Sequence, residues 1–99
     1  MNIKLIDRGD TGELLLEGRL DSVTAPDTQR ILEQMAERFD HLVLDMAKLE
    51  YVSSAGLRVL KHTHMVMRKK NGSLALRNVN KMVMEVFEMT GFVGLLKFI

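Results

Sequence analysis

An α/β fold, with helices packed on a mixed central sheet, is predicted by three observations. Short apolar runs of strand length alternate with longer segments whose apolar residues recur at helical spacing. Glycine-bearing turns separate them, and the chain is long enough for one modest core. The resulting order is strand, strand, helix, strand, helix, strand, helix within 99 residues, which is expected to pack as a single small domain over residues 1–99.

The first two strands come from Ile3, Leu5 and the apolar run Leu14-Leu15-Leu16, joined through Gly9-Asp10-Thr11-Gly12, a hairpin pattern. Thr24 with Asp27 three residues on reads as a capping box, and Pro26 is tolerated in a first helical turn. The helix that follows places Ile31, Leu32, Met35 and Phe39 on its buried side. His41 to Asp45 (HLVLD) is continuous and apolar, the expected signature of a central strand covered by helices on both faces and ending at Asp45. Val59, Leu60, Thr63, Val66 and Met67 mark a second helix, stopped at Asn71-Gly72. Leu74 and Leu76 mark a strand, and Met82, Val83, Val86, Phe87 and Met89 a third helix ended by Gly91. Leu95 to Ile99 supply a short edge strand.

Composition narrows the function. A formal charge of +1 lacks the basic footprint of nucleic-acid or anionic-membrane binders. With no cysteine, disulfides, thiolate nucleophiles and the common structural zinc sites are excluded. No stretch has signal-peptide character, and none approaches the roughly 20 apolar residues of a membrane span. A soluble cytoplasmic protein without cofactor or metal is expected, with neither nucleic acid nor membrane as a partner.

In open α/β sheets, binding residues sit where strands deliver the chain to loops and helix N-termini. Asp21, Asp45 and the Ser53-Ser54 pair fall at such points. At the start of a helix, Ser54 can cap free backbone N–H groups, and a phosphate added there meets the positive end of the helix dipole.

Gly18–Ser22 (GRLDS), Leu44-Asp45 and Tyr51–Leu60 (YVSSAGLRVL) together resemble, in residues and in spacing, the STAS domain family of bacterial anti-sigma factor antagonists. The resemblance spans nearly the whole chain. A lone Ser-Ser-Ala-Gly would carry little weight, but here it follows an apolar strand and precedes an amphipathic helix. The resemblance implies a non-enzymatic switch that binds an anti-sigma factor with a histidine-kinase-like ATPase fold and so frees a sigma factor. That partner is a serine kinase, and it answers by phosphorylating the serine two residues before the motif glycine, which is Ser54. A serine phosphatase resets it. The implied partner-binding residues are Asp21, Ser22, Ser53, Ser54, Ala55, Gly56 and Arg58. Many relatives carry aspartate immediately before the switch serine, where this chain has Ser53, so Ser53 is the alternative phosphosite. Ala55 replaces a serine common in relatives. The competing reading is a phosphorylation-independent scaffold or regulatory subunit of a transporter or stress-signalling complex; nucleotide binding by the domain is a third.

The remaining features have plain structural readings. His62 and His64 are two apart on a helix and do not face one another, so neither they nor His41 suggest a metal site. Arg68-Lys69-Lys70 closes a helix where cations complement the dipole. Among the eight methionines, Met35, Met67, Met82 and Met89 lie on core stripes, whereas Met65 and Met84 are candidates for exposure. Asp21 and Asp45 could equally be turn residues, and Asp21 is the better candidate for a functional role.

Overall fold

A computed structural model describes residues 1–99. The order is β1 (Asn2–Asp7), β2 (Thr11–Leu20), α1 (Ala25–Arg38), β3 (His41–Val52), α2 (Ser54–Lys69), β4 (Ser73–Arg77), α3 (Lys81–Thr90) and β5 (Lys97–Phe98), with a 3-10 turn at Phe92–Gly94. The strands form one sheet in sequence order, β1-β2-β3-β4-β5. β1 runs antiparallel to β2 through a hairpin whose Gly9 adopts φ 86, a conformation that glycine takes without steric cost. The other pairs are parallel, and each needs a crossover, supplied by α1, α2 and α3.

β3 is longer than its apolar run predicts, continuing beyond Asp45 to Val52. Opposite β2 it holds an extra residue at two places: Leu15 pairs with Asp45 but Glu17 with Lys48, and Gly18 pairs with Leu49 but Arg19 with Tyr51. Each irregularity resets which side chains point inward. Met46, Leu49 and Val52 all reach the core at three-residue intervals, a period that does not read as a strand.

The helices cover one face of the sheet. Leu14 and Leu16 of β2, Leu42 and Leu44 of β3, and Leu74 and Leu76 of β4 join one buried cluster with Leu32 of α1, Leu60 and Met67 of α2, and Val83 and Phe87 of α3. Leu76 pairs with Phe98 of β5, whose ring meets Phe87 edge-on at 5.6 Å, which sets α3 on the same side. The expectation that β3 is covered on both faces is therefore corrected. Val43 is only half-buried, and the opposite face carries an ion-pair network.

In that network Arg77 of β4 reaches Asp45 at 3.0 Å and pairs with Glu13 of β2. Arg8 Nε donates to Glu13 at 2.8 Å. Glu13 is only 6% exposed, so both guanidinium groups offset the cost of burying its carboxylate. Asp45 lies in the middle of β3 and also accepts from Asn78 and from the Ala47 N–H. It thus lies within β3, opposite the last residue of β4, and not at the end of its own strand.

Other local expectations divide. Asn71, at φ 61, takes the left-handed position that ends α2, while Gly72 is required for space, because a Cβ there would collide with the Asp40 carbonyl. Met67 fills the core, but Met82 is 61% and Met89 87% exposed. At about 100° per residue, both lie more than a quarter-turn from the Val83–Phe87 face. Gly91 ends α3 with φ 78, as its position predicts.

Hydrogen bonds from Arg8 and then Arg77 hold the Glu13 carboxyl below its ordinary range. Burial pushes Asp45 up, but the Ala47 N–H, Arg77 and Asn78 outweigh it and hold that carboxyl down. A depressed carboxyl stabilises the fold above its unfolded pKa, and this contribution fades as pH falls through the lowered folded value. Arg77→Ala is therefore expected to lower the urea midpoint clearly at pH 7, with the gap to wild type closing below about pH 4. A gap of constant size from pH 7 to pH 3 would show that Arg77 acts through packing alone.

Candidate functional site

β2 and β3 are parallel and finish side by side, with Leu20 opposite Val52. The Ser53 N–H then donates to the Leu20 carbonyl at 2.9 Å, which fixes the turn out of β3. Ser53 is extended, at φ −92 and ψ 177, and its Oγ accepts the Gly56 N–H at 3.4 Å. It is the N-cap of α2. Gly56 presses against the end of β2: a Cβ there would sit 2.7 Å from Leu20 Cγ and 2.8 Å from the Leu20 carbonyl oxygen.

These contacts divide the work of the two serines. A cap residue needs extended backbone, and Ser54 is already helical. Ser53 therefore does the capping expected of Ser54, and the exposed Ser54 side chain makes no hydrogen bond within the chain.

The neighbouring turn, after β2, is organised by Asp21. Its carboxylate accepts the N–H groups of Val23 at 3.0 Å and Thr24 at 3.2 Å. The Thr24 hydroxyl in turn accepts the Asp21 N–H and donates to the Arg19 carbonyl at 2.8 Å. With that hydroxyl engaged, Thr24 gives α1 no side-chain cap, and the expected capping box does not form. Hydrogen bonding from the Thr24 N–H, helped by Val23 and the Arg19 guanidinium 3.7 Å away, outweighs burial and holds the Asp21 carboxyl below its ordinary range. Asp21 is both a turn residue and a fixed negative charge beside the serine loop.

Of the residues singled out in the sequence, Asp21 and Ser22 thus lie at the end of β2, and Ser53, Ser54, Ala55, Gly56 and Arg58 at the start of α2. A shallow groove of about 550 Å³ runs between the two helices, with Ser22, Arg30 and Glu33 on one wall and Ala55, Arg58 and Val59 on the other. Gly56 is buried and acts as a spacer. Asp45 is not brought here.

Three residues at this end were not singled out by their type or spacing. Arg19 stacks over the Tyr51 ring at 4.4 Å, a pairing set by the β2–β3 register that only the irregular strand creates. Val23 is 83% exposed in the Asp21 turn, an apolar side chain offered to solvent.

Away from this site, His62 pairs with Glu33 at 3.1 Å, bridging α2 and α1, and His41 meets Ser73 at 2.8 Å. No group of three or more His, Asp or Glu side chains is placed to hold a metal ion, and no helix is long and apolar enough to cross a membrane.

Comparison with known proteins follows the same outline. Residues 2–99 match the family model of the STAS domain. BtrV of Bordetella bronchiseptica, a candidate anti-sigma factor antagonist, is 35% identical over 81% of this chain and 70% of its own length. The anti-sigma-B factor antagonist of Bacillus subtilis is 26% identical over 92% of this chain and 84% of its own. The structure of SpoIIAA, an anti-sigma factor antagonist, in its unphosphorylated form superposes with a TM-score of 0.76 at 14% identity, covering 99% of this chain and 87% of that one. Its phosphorylated form from Bacillus gives the same TM-score at 15% identity, covering 99% and 91%.

The division between the serines is open to a stability measurement. Ser53→Ala is expected to cost about 0.5–2 kcal/mol, the range of a lost N-cap, whereas Ser54→Ala should stay within about 0.5 kcal/mol of wild type. Urea unfolding of both variants checks this, and the reverse ranking would assign the cap to Ser54.

Proposed function

Since the chain belongs to the STAS domain family, we propose that residues 1–99 act as a STAS domain whose role is that of an anti-sigma factor antagonist. It is a cytoplasmic binding protein with no reaction of its own. Its partner is an anti-sigma factor that is itself a serine kinase with a histidine-kinase-like ATPase fold. Docking of this chain releases the sigma factor. The kinase then transfers the γ-phosphoryl group of ATP to Ser54 Oγ, ADP leaves, and the hydroxyl gives up its proton. A serine phosphatase hydrolyses the ester and restores the binding form.

The observation that carries this reading is the free, exposed Ser54 hydroxyl on a rigid corner. Ser53 caps the helix, so Ser54 can be modified without removing a bond that holds α2 in place. Phosphate adds roughly −1.5 to −2 charges at the N-terminal end of a helix, where negative charge is tolerated. The fold is kept and the surface is changed. A loss of about 2.7 kcal/mol in partner binding would be a hundredfold in affinity, within reach of repulsion, bulk and desolvation at a contact surface. The relatives named as anti-sigma factor antagonists support the same reading.

Incubation with the cognate kinase and ATP is expected to add one phosphate, located on Ser54 by mass spectrometry of the digested protein. Ser54→Ala should bind the kinase and accept none. Modification on Ser53 would move the switch to the alternative phosphosite, whereas binding that phosphorylation leaves unchanged would favour a docking subunit that is not switched. Asp21→Asn supplies a second check. Its side-chain oxygen can still accept the Val23 and Thr24 N–H groups, so the turn should survive while the charge is lost. The variant should bind the kinase more weakly. It should also narrow the affinity gap between unmodified and phosphorylated forms, read by calorimetric titration of the four species. An unchanged gap would confine Asp21 to its turn.

A further inference from the structure

We propose that Arg58 is the internal clamp of the phosphorylated state: one helical turn beyond Ser54, it captures the phosphate and is thereby withdrawn from the partner-facing groove. The inference rests on the reading of Ser54 as the phosphosite and names the group that responds to it.

Both residues lie on α2, and both are exposed. Positions four apart on a helix face one another, with Cβ atoms about 5–6 Å apart. Helical side chains also lean toward the N-terminus, so a long side chain covers the turn before its own Cα. The Arg58 guanidinium can thus reach back over a phosphate on Ser54, and the order, anion first and cation four residues later, is the favourable one. A planar guanidinium also matches a phosphate in geometry, donating two parallel N–H bonds.

Arg58 is available for this role because nothing else holds it. The other charges at this end are engaged: Arg19 lies 3.7 Å from Asp21, Arg30 lies 3.8 Å from Asp27, and Glu33 pairs with His62 at 3.1 Å. Arg58 forms no ion pair, and it lines the groove between α1 and α2 together with Ala55 and Val59. In the unmodified protein it presents a free cation to whatever docks there. Phosphorylation therefore changes the surface twice, by adding an anion at Ser54 and by occupying the cation at Arg58. Removal of an attractive contact accompanies the addition of a repulsive one, and together they discriminate the two states.

The test uses the full chain with phosphoserine installed at position 54 during synthesis, so that no kinase is involved. The second ionisation of the phosphate, ordinarily near 6, is followed by phosphorus NMR at low salt in wild type, Arg58→Ala, Arg58→Lys and Lys69→Ala. The last variant removes an equal charge from the far end of α2. The midpoint in wild type is expected to lie about 0.3 unit or more below that of Arg58→Ala, the equivalent of a helical ion pair. Arg58→Lys should restore part of the shift, and Lys69→Ala should match wild type. Equal midpoints in wild type and Arg58→Ala, or equal effects of Arg58→Ala and Lys69→Ala, would overturn the clamp. Neither result touches the phosphosite assignment, which fails separately if the kinase marks another residue.

Discussion

The corner at Leu20 holds this site together. Its side chain is fully buried, its carbonyl accepts the Ser53 N–H, and its backbone and side chain together occupy the volume that any Cβ on Gly56 would need. One residue at the end of β2 therefore fixes the exit from β3 and the first turn of α2. The parallel pairing of β2 and β3 brings the two ends to the same edge of the sheet, and the Asp21 turn departs from the same point. A change in the packing around Leu20 would move the serine loop and the Asp21 turn together.

A frame fixed in this way allows a surface hydroxyl to be altered without disturbing what supports it. Ser53 contributes to architecture and Ser54 is left free, and this separation lets a covalent modification act as a change of surface charge. SpoIIAA shares this fold in both its unphosphorylated and its phosphorylated form, each at a TM-score of 0.76. The ion-pair network of Arg77, Glu13, Asp45 and Arg8 lies on the opposite face of the sheet. It links β2, β3 and β4 through their side chains without contributing to the site itself.

The strand and helix order was legible because each helix shows one apolar stripe and each strand a compact apolar run. The serine loop was legible from its motif. What escaped was three-dimensional register. Met46, Leu49 and Val52 point inward at three-residue intervals because β3 carries two extra residues, so the strand read as ending at Asp45, and Asp45 as lying at a loop. The apolar run Leu42-Val43-Leu44 suggested helices on both faces, yet Val43 is only half-buried and its face of the sheet carries the ion pairs of Glu13, Asp45 and Arg77. Arg19 and Tyr51 are far apart in sequence and meet only through that same irregular pairing. Thr24 carried a capping pattern that its hydroxyl does not follow, because Asp21 and Arg19 engage it first. Met82 and Met89 are apolar enough for a core stripe, but Val83 and Phe87 set the direction of α3.

The central claim is that modification of Ser54 rewrites one corner of a fold that otherwise stays as it is. The most direct measurement compares backbone amide NMR spectra of the unmodified chain and the chain with phosphoserine at position 54. Shift changes confined to residues 19–24 and 51–59, with the amides of β1, β4 and α3 unmoved, are the predicted result. Changes spread through the whole sheet, or a loss of spectral dispersion, would show that the phosphate acts by disrupting the fold and would contradict the account.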